Sequence, residues 1–114
     1  MTSQGHRHAQ FQRALKTGNA FLAMNAAREL RHVDLADALS LLLLLREHDP
    51  VRFDHAAVRW LARYYAEDRR LPIRDAREVI DMLEGVGRHD QVAKLRLERF
   101  LRARGYEAEA DRVA

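Results

Sequence analysis

The sequence predicts an all-α fold, a compact bundle of about six helices in three helical hairpins around a buried, leucine-rich central helix. Apolar residues recur at helical spacing, and no segment alternates with the two-residue period of a strand. Capping residues and glycines divide the chain into segments of helical length. Five consecutive leucines, at positions 41–45, lie inside one of these segments. A helix that is apolar on all sides is typical of one surrounded by other helices.

The first two helices are predicted from a glycine stop and an asparagine start. Residues 6–17 form the first, with Phe11 and Leu15 facing inward. Gly18 can adopt the left-handed conformation that ends a helix. Asn19 is a good N-cap residue, and the second helix is expected to continue to about residue 32.

The third and fourth helices are both expected to begin at aspartate caps. Asp34 precedes the leucine-rich helix, which should end near residue 48. Asp49 followed by Pro50 predicts that the fourth helix begins directly after the third, because proline fits the first helical position. The fourth helix should then extend to about residue 67. Its apolar side carries Phe53, Ala57, Trp60, Leu61, Tyr64 and Tyr65.

Two further helices and a tail complete the predicted domain. The fifth helix is expected over residues 73–84, with the glycines of segment 85–87 stopping it. The sixth is expected over residues 90–104. These elements predict a single helical domain spanning residues 1–105. The remaining residues, 106–114, are expected to form a short acidic C-terminal tail.

Two stretches of apolar positions repeat along the chain. Segment 35–45 matches segment 73–83 at an offset of 38 residues, and segment 57–65 matches 93–101 at an offset of 36. The first match pairs Leu35, Leu41, Leu42 and Leu45 with Ile73, Val79, Ile80 and Leu83. Two helices per unit at this spacing resemble HEAT or armadillo repeats. The resemblance implies a short curved helical stack that binds proteins.

Composition restricts the function classes. A chain of 114 residues fits one domain, and the absence of cysteine excludes disulfides and thiolate chemistry. Its longest apolar stretch is interrupted by Asp37 and Ser40 and is shorter than the roughly 20 residues that span a bilayer. We expect a location in a bacterial cytoplasm, with no membrane partner.

Metal, cofactor and catalytic sites are not predicted. Among six histidines, only His48 and His55 lie close to several acids, and their spacing matches no zinc motif. No glycine-rich phosphate loop opens a helix. The few Ser and Thr hydroxyls lie near the N-terminus or inside the leucine-rich helix. We therefore expect neither an enzyme nor a small-molecule substrate.

Arginines are the candidate functional residues. They account for 18 of the 20 basic residues, and the net charge is +3. At about 100° per residue, three arginines of the fourth helix fall within about 40° of one another. Three more surround the following turn. The predicted partner-binding set is therefore Arg52, Arg59, Arg63, Arg69, Arg70 and Arg74.

These arginines allow two functional interpretations. Guanidinium groups bind carboxylates or phosphates through paired hydrogen bonds. The favoured function is a non-enzymatic protein–protein interaction or scaffold module, with self-association into a homo-oligomer as one form of it. Val58, Tyr65 and Leu95 lie at the margins of the apolar faces of their helices and would supply contacts between copies. The alternative is an accessory nucleic-acid-binding protein with an Arg-rich helical surface. Acids such as Asp68 and Asp75, interleaved with the arginines, count against nucleic-acid binding, so the first interpretation is favoured mainly by elimination.

Overall fold

The computed structural model describes residues 3–114, and these residues form helices joined by short connections, without strands. The seven α-helices in this range are α1 (Ser3–Thr17), α2 (Ala20–Arg28), α3 (Leu35–His48), α4 (Pro50–Glu67), α5 (Ala76–Gly87), α6 (Gln91–Ala103) and α7 (Glu107–Val113). A 3₁₀ turn at Ile73–Asp75 precedes α5. The all-α prediction is confirmed, with one helix more than expected. None of the described helices is both long and apolar enough to span a bilayer.

Local capping signals position most helix ends as predicted. The side chains of Asn19, Asp34, Asp49 and Asp90 each accept a backbone N–H hydrogen bond at the start of a helix. Gly18 has a φ of +73° at the end of α1, where a side chain would be strained. α2 is shorter than predicted, because Glu29 and not a later residue forms its C-cap.

The glycines of segment 85–87 do not stop α5, contrary to the prediction. Gly85 and Gly87 lie within the last turns of the helix. A Cβ on Gly87 would lie 2.8 Å from Cδ1 of Phe53, and one on Gly85 would clash with Cβ of Ala93. Both glycines therefore allow α5 to approach α4 and α6 closely. His89, with a φ of +62°, takes the left-handed conformation after the helix.

The leucine-rich helix α3 is apolar on all sides because two hydrophobic clusters flank it. It contacts α1, α2, α4 and α7. Leu42 and Leu45 are buried in a large cluster shared with α4–α7. Leu41 and Leu44 are only half-buried and pack against a small cluster of Phe11, Ala14 and Ala23 from α1 and α2.

Residues 107–113 form the helix α7, within the segment for which the sequence predicted a short acidic tail. Ala110 and Val113 of α7 are buried in the large cluster, and α7 packs on α3 and α6. The segment carries only small or scattered apolar residues, so its apolar stripe is too short to be recognised from the sequence.

A buried carboxylate joins three helices. Asp37 on α3 is 3% exposed and accepts hydrogen bonds from Gln12 Nε2 at 2.9 Å and Arg112 Nη1 at 2.8 Å. The same Arg112 nitrogen lies 2.8 Å from Ser40 Oγ. Buried charges require partners of this kind. This network ties α1 and α7 to α3.

Candidate functional site

Helices α2, α3 and α4 enclose an open groove of about 530 Å³, which we call the α2–α4 groove. Its floor is apolar, and guanidinium groups rise on both sides. The floor residues are Met24, Ala38, Leu41, Leu42, Leu45, Ala56 and Trp60, and the rim residues are Arg28, Arg52, Arg59 and Arg63. The groove therefore combines a hydrophobic surface with a cluster of positive charge.

The periodicity of α4 explains how arginines come to border an apolar floor. Residues four and seven apart lie on one face of a helix, so Arg52, Arg59 and Arg63 form a single row. Trp60 lies about 100° around the helix from Arg59. It is 4% exposed, and its Nε1 donates to the carbonyl oxygen of Leu35 at 3.0 Å. The row therefore stands at the edge of the buried face.

The four rim guanidiniums differ in their partners. Arg52 Nε lies 3.8 Å from Asp49 Oδ2, and its Nη1 lies 3.6 Å from the Met24 sulfur. Arg63 Nε donates to Glu67 at 3.0 Å, while its shielded Nη2 finds no hydrogen-bond partner among residues 3–114.

Two rim guanidiniums are free to bind a ligand. Arg28 and Arg59 are exposed. Neither makes an ion pair with any residue in the described part of the chain. They face the groove from opposite sides, one on α2 and the other on α4. The rim therefore carries more positive charge than the neighbouring acids neutralise.

The groove continues toward the start of α4. A hollow of about 360 Å³ shares Met24, Arg28, Leu45 and Arg52 with it and adds Phe21, His48 and Asp49, among others. Phe21 is 74% exposed, an unusual position for a large aromatic side chain. An exposed aromatic residue beside a groove is typical of a contact surface for another molecule.

The other three predicted arginines lie outside the groove. Arg70 forms a two-pronged pair with Asp68, at 3.0 Å and 3.1 Å, and this pair lowers the pKa of the aspartate. Arg69 and Arg74 are exposed and make no ion pair within residues 3–114. The structure thus separates the six predicted residues into a groove group and a loop group.

Several groove residues were not predicted from the sequence. Arg28, Met24 and Phe21 all belong to α2, which the sequence does not place beside α4. The sequence signal for these residues was weak: Arg28 follows Met24 by one helical turn, so the two lie on the same face of α2. Which helix lies opposite the arginine row is set by tertiary packing and not by local pattern.

Behind the groove, aromatic side chains support α4. The Trp60 and Tyr64 rings stack with centroids 5.5 Å apart, and Tyr64 also contacts Tyr65 and Tyr106. Burial raises the pKa of the Tyr64 hydroxyl well above its usual value. These contacts pack the core side of α4 against the rest of the large cluster.

The other surfaces suggested by the sequence are the marginal apolar positions and the histidine-containing turn. Of the marginal apolar residues, Val58 and Leu95 are exposed, whereas Tyr65 is half-buried against the core. Within residues 3–114, no group of three or more His, Asp or Glu side chains could hold a metal ion.

No protein-family model matches the chain, and neither a curated protein nor a solved structure matches it. The function is therefore inferred from the geometry and chemistry of the α2–α4 groove. Its two defining properties are the apolar floor and the partly unpaired guanidinium rim.

Proposed function

We propose that this protein is a non-enzymatic interaction module, a scaffold or adaptor of the cytoplasm, that binds an acidic and partly apolar segment of another protein in the α2–α4 groove. The observation that carries the proposal is the position of Arg28 and Arg59, unpaired within the described chain, on either side of a leucine-rich floor. Guanidiniums form strong paired hydrogen bonds with carboxylates. Covering the half-buried floor residues Met24, Ala38, Leu41 and Ala56 would supply the non-directional part of the affinity, since Leu42, Leu45 and Trp60 beneath them are already buried.

A protein fits this groove better than a nucleic acid does. A phosphate backbone would meet the arginines but would leave the leucine floor without an apolar partner. Protein interfaces combine an apolar centre with a polar, arginine-containing rim. In the loop group, Arg70 is already occupied by Asp68, which weakens that surface as a phosphate-binding field.

The groove contains no side chain suited to acid–base or nucleophilic catalysis. Its lining consists of apolar residues and arginines, and guanidiniums stay protonated at physiological pH. A nucleophile beside a base, the usual requirement for covalent catalysis, is absent from that lining. This supports a binding role.

The architecture proposed for this role is three successive helical hairpins, α1–α2, α3–α4 and α5–α6, around α3. Support comes from the packing of each of these consecutive pairs and from the repeated apolar spacing of the sequence. In such a stack the groove lies where the first hairpin meets the second. Binding of a further copy through the exposed Val58 and Leu95 is a secondary possibility.

Site-specific photo-crosslinking in the source cells tests the proposal. A photo-reactive side chain replaces Asn25, which is exposed beside the groove, or Gln91, an exposed amide at the start of α6. We expect the first position to capture a discrete protein and the second to capture none. Equal capture at both positions, or capture of nucleic acid at the first, would contradict the proposal.

A double charge-reversal variant tests whether the groove arginines are responsible for capturing the partner protein. The double variant Arg28→Glu with Arg59→Glu should lose the crosslink. Its matched control, Arg77→Glu with Arg99→Glu, makes the same charge change on α5 and α6 at exposed arginines that form no ion pair within residues 3–114. The control should crosslink as the unmodified protein does.

A further inference from the structure

We infer that the segment bound in the α2–α4 groove is an amphipathic α-helix of about 14 residues, acidic toward one end and apolar toward the other. This inference rests on the proposed function and specifies the conformation, length and polarity of the bound segment. It follows from the shape of the groove walls, the spacing of the arginines and the contrast between the two ends of the groove.

The walls and floor favour a helix over an extended segment. Among residues 3–114 there is no strand whose free edge could pair with an extended chain. An extended segment on the leucine floor would therefore bury unpaired backbone groups, which is costly. A helix pairs its own N–H and C=O groups and presents only side chains. Grooves between helices commonly bind amphipathic helices in this way.

The length follows from the part of α4 that borders the groove. Asp49 and Arg63 are 14 residues apart, which corresponds to about 21 Å at 1.5 Å per residue. A helix of about 14 residues spans the same distance. The arginines of α4 are separated by about 10 Å and about 6 Å along the axis. Carboxylates on successive turns of the bound helix can reach them.

The polarity follows from unequal charge at the two ends. Arg28 and Arg52 line both the groove and its extension, whereas Arg59 and Arg63 line only the groove and Phe21 and Asp49 line only the extension. At the Phe21 end the Asp49 carboxylate offsets the charge of Arg52, and an acidic segment there would leave the exposed ring uncovered. The bound helix therefore places its acids toward Arg59 and Arg63 and a large apolar side chain against Phe21.

A designed peptide provides the probe. The peptide is a capped, fluorescein-labelled 14-mer with leucines at helical spacing, glutamates flanking them in one half and a phenylalanine in the other. Two controls have the same composition. One has a shuffled order without helical periodicity, and the other is the original with a central alanine replaced by proline. Binding to the full chain is followed by fluorescence anisotropy at physiological ionic strength.

We expect only the periodic peptide to bind tightly, and to gain helical circular dichroism when it does. The Arg28→Glu, Arg59→Glu variant should weaken binding at least about tenfold, whereas Arg77→Glu, Arg99→Glu should change it by less than about twofold. Replacing the glutamates of the peptide by lysines should restore binding to the first variant. Phe21→Ala should weaken binding about tenfold, whereas Val92→Ala, an exposed valine outside the groove, should not.

The outcomes separate this inference from the proposed function. Equal binding of the shuffled or proline peptide would overturn the helical conformation, as would no binding of any peptide. Either result, together with a groove-specific crosslink in cells, would leave the proposed function intact. If neither the crosslink nor the peptide binding is observed, both the proposed function and the helical segment are overturned. Displacement of the peptide by duplex DNA, with an affinity that falls log-linearly with salt, would assign the groove to nucleic acid.

Discussion

The two sides of α3 differ in how much they bury. Toward α4–α7, Leu42 and Leu45 belong to a large cluster of buried residues from five helices. Toward α1 and α2, Leu41 and Leu44 meet a cluster with three buried members. Since burial of apolar surface is the main source of stability, the first side sets the stability of the fold. The second side buries less, and the α2–α4 groove opens at the boundary between the two sides.

Truncating a leucine on each side of α3 tests this difference most strongly. Leu42→Ala should reduce the free energy of unfolding by about 2–5 kcal/mol, because it leaves a cavity in the large cluster. Leu44→Ala, a half-buried matched control on the same helix, should cost about 1 kcal/mol. Urea unfolding followed by circular dichroism measures both. Equal losses would mean that the two sides contribute alike.

The Asp37 network is the polar link between the two sides. Asp37→Ala removes the acceptor for Gln12 and Arg112 and should cost about 3 kcal/mol, as for other buried ion pairs that lose one member. Asp81→Ala is the control, since that exposed acid makes no ion pair within the described residues. Chemical denaturation compares the two variants. A loss below 0.5 kcal/mol for Asp37→Ala would show that the link is dispensable.

Because the large cluster is closely packed, adding a methyl group at a glycine of α5 should destabilise the fold. Gly87→Ala inserts a methyl group against the Phe53 ring and should cost about 1–3 kcal/mol through overpacking. Gly18→Ala meets no atom within 4 Å, so its cost should be only the backbone strain of a positive φ, about 1 kcal/mol. Thermal unfolding of both variants provides the measurement. A larger effect at Gly18 would reverse the comparison.

The groove arginines should matter least for stability. Replacing Arg52, Arg59 and Arg63 together with Gln should change the free energy of unfolding by less than about 1.5 kcal/mol, since exposed ion pairs contribute little. The same variant should lose binding to the acidic peptide. Denaturant unfolding and anisotropy measure the two effects. A strongly destabilised triple variant would assign these arginines to the fold and not to binding.

The comparison also shows what the sequence can predict. Helix starts at Asn19, Asp34, Asp49 and Asp90 depend on local hydrogen bonds between neighbouring residues, so their residue types suffice. The arginine row of α4 is likewise fixed by helical periodicity. The all-α class follows from the same local signals.

The remaining features depend on contacts between distant segments. Gly85 and Gly87 look like a helix stop, but their role is to admit Ala93 and Phe53. Helix α7 forms because Ala110 and Val113 find a place in the large cluster. Arg28 joins the groove only because α2 and α4 both pack on α3. None of these pairings is encoded in a local pattern.

Hydrogen exchange along the whole chain, measured with and without the acidic peptide, tests both the unequal stability of the helices and the position of the groove. Amide protection reports local stability and ligand contact residue by residue. We predict the slowest exchange in α3, α5 and α6 and faster exchange in α1 and α2 for the free protein. The peptide should slow exchange in α2 and α4 and leave α5 and α6 unchanged. Uniform protection in the free protein would contradict the unequal burial on the two sides of α3. Slowing confined to α5 and α6 would contradict a docking groove between α2 and α4.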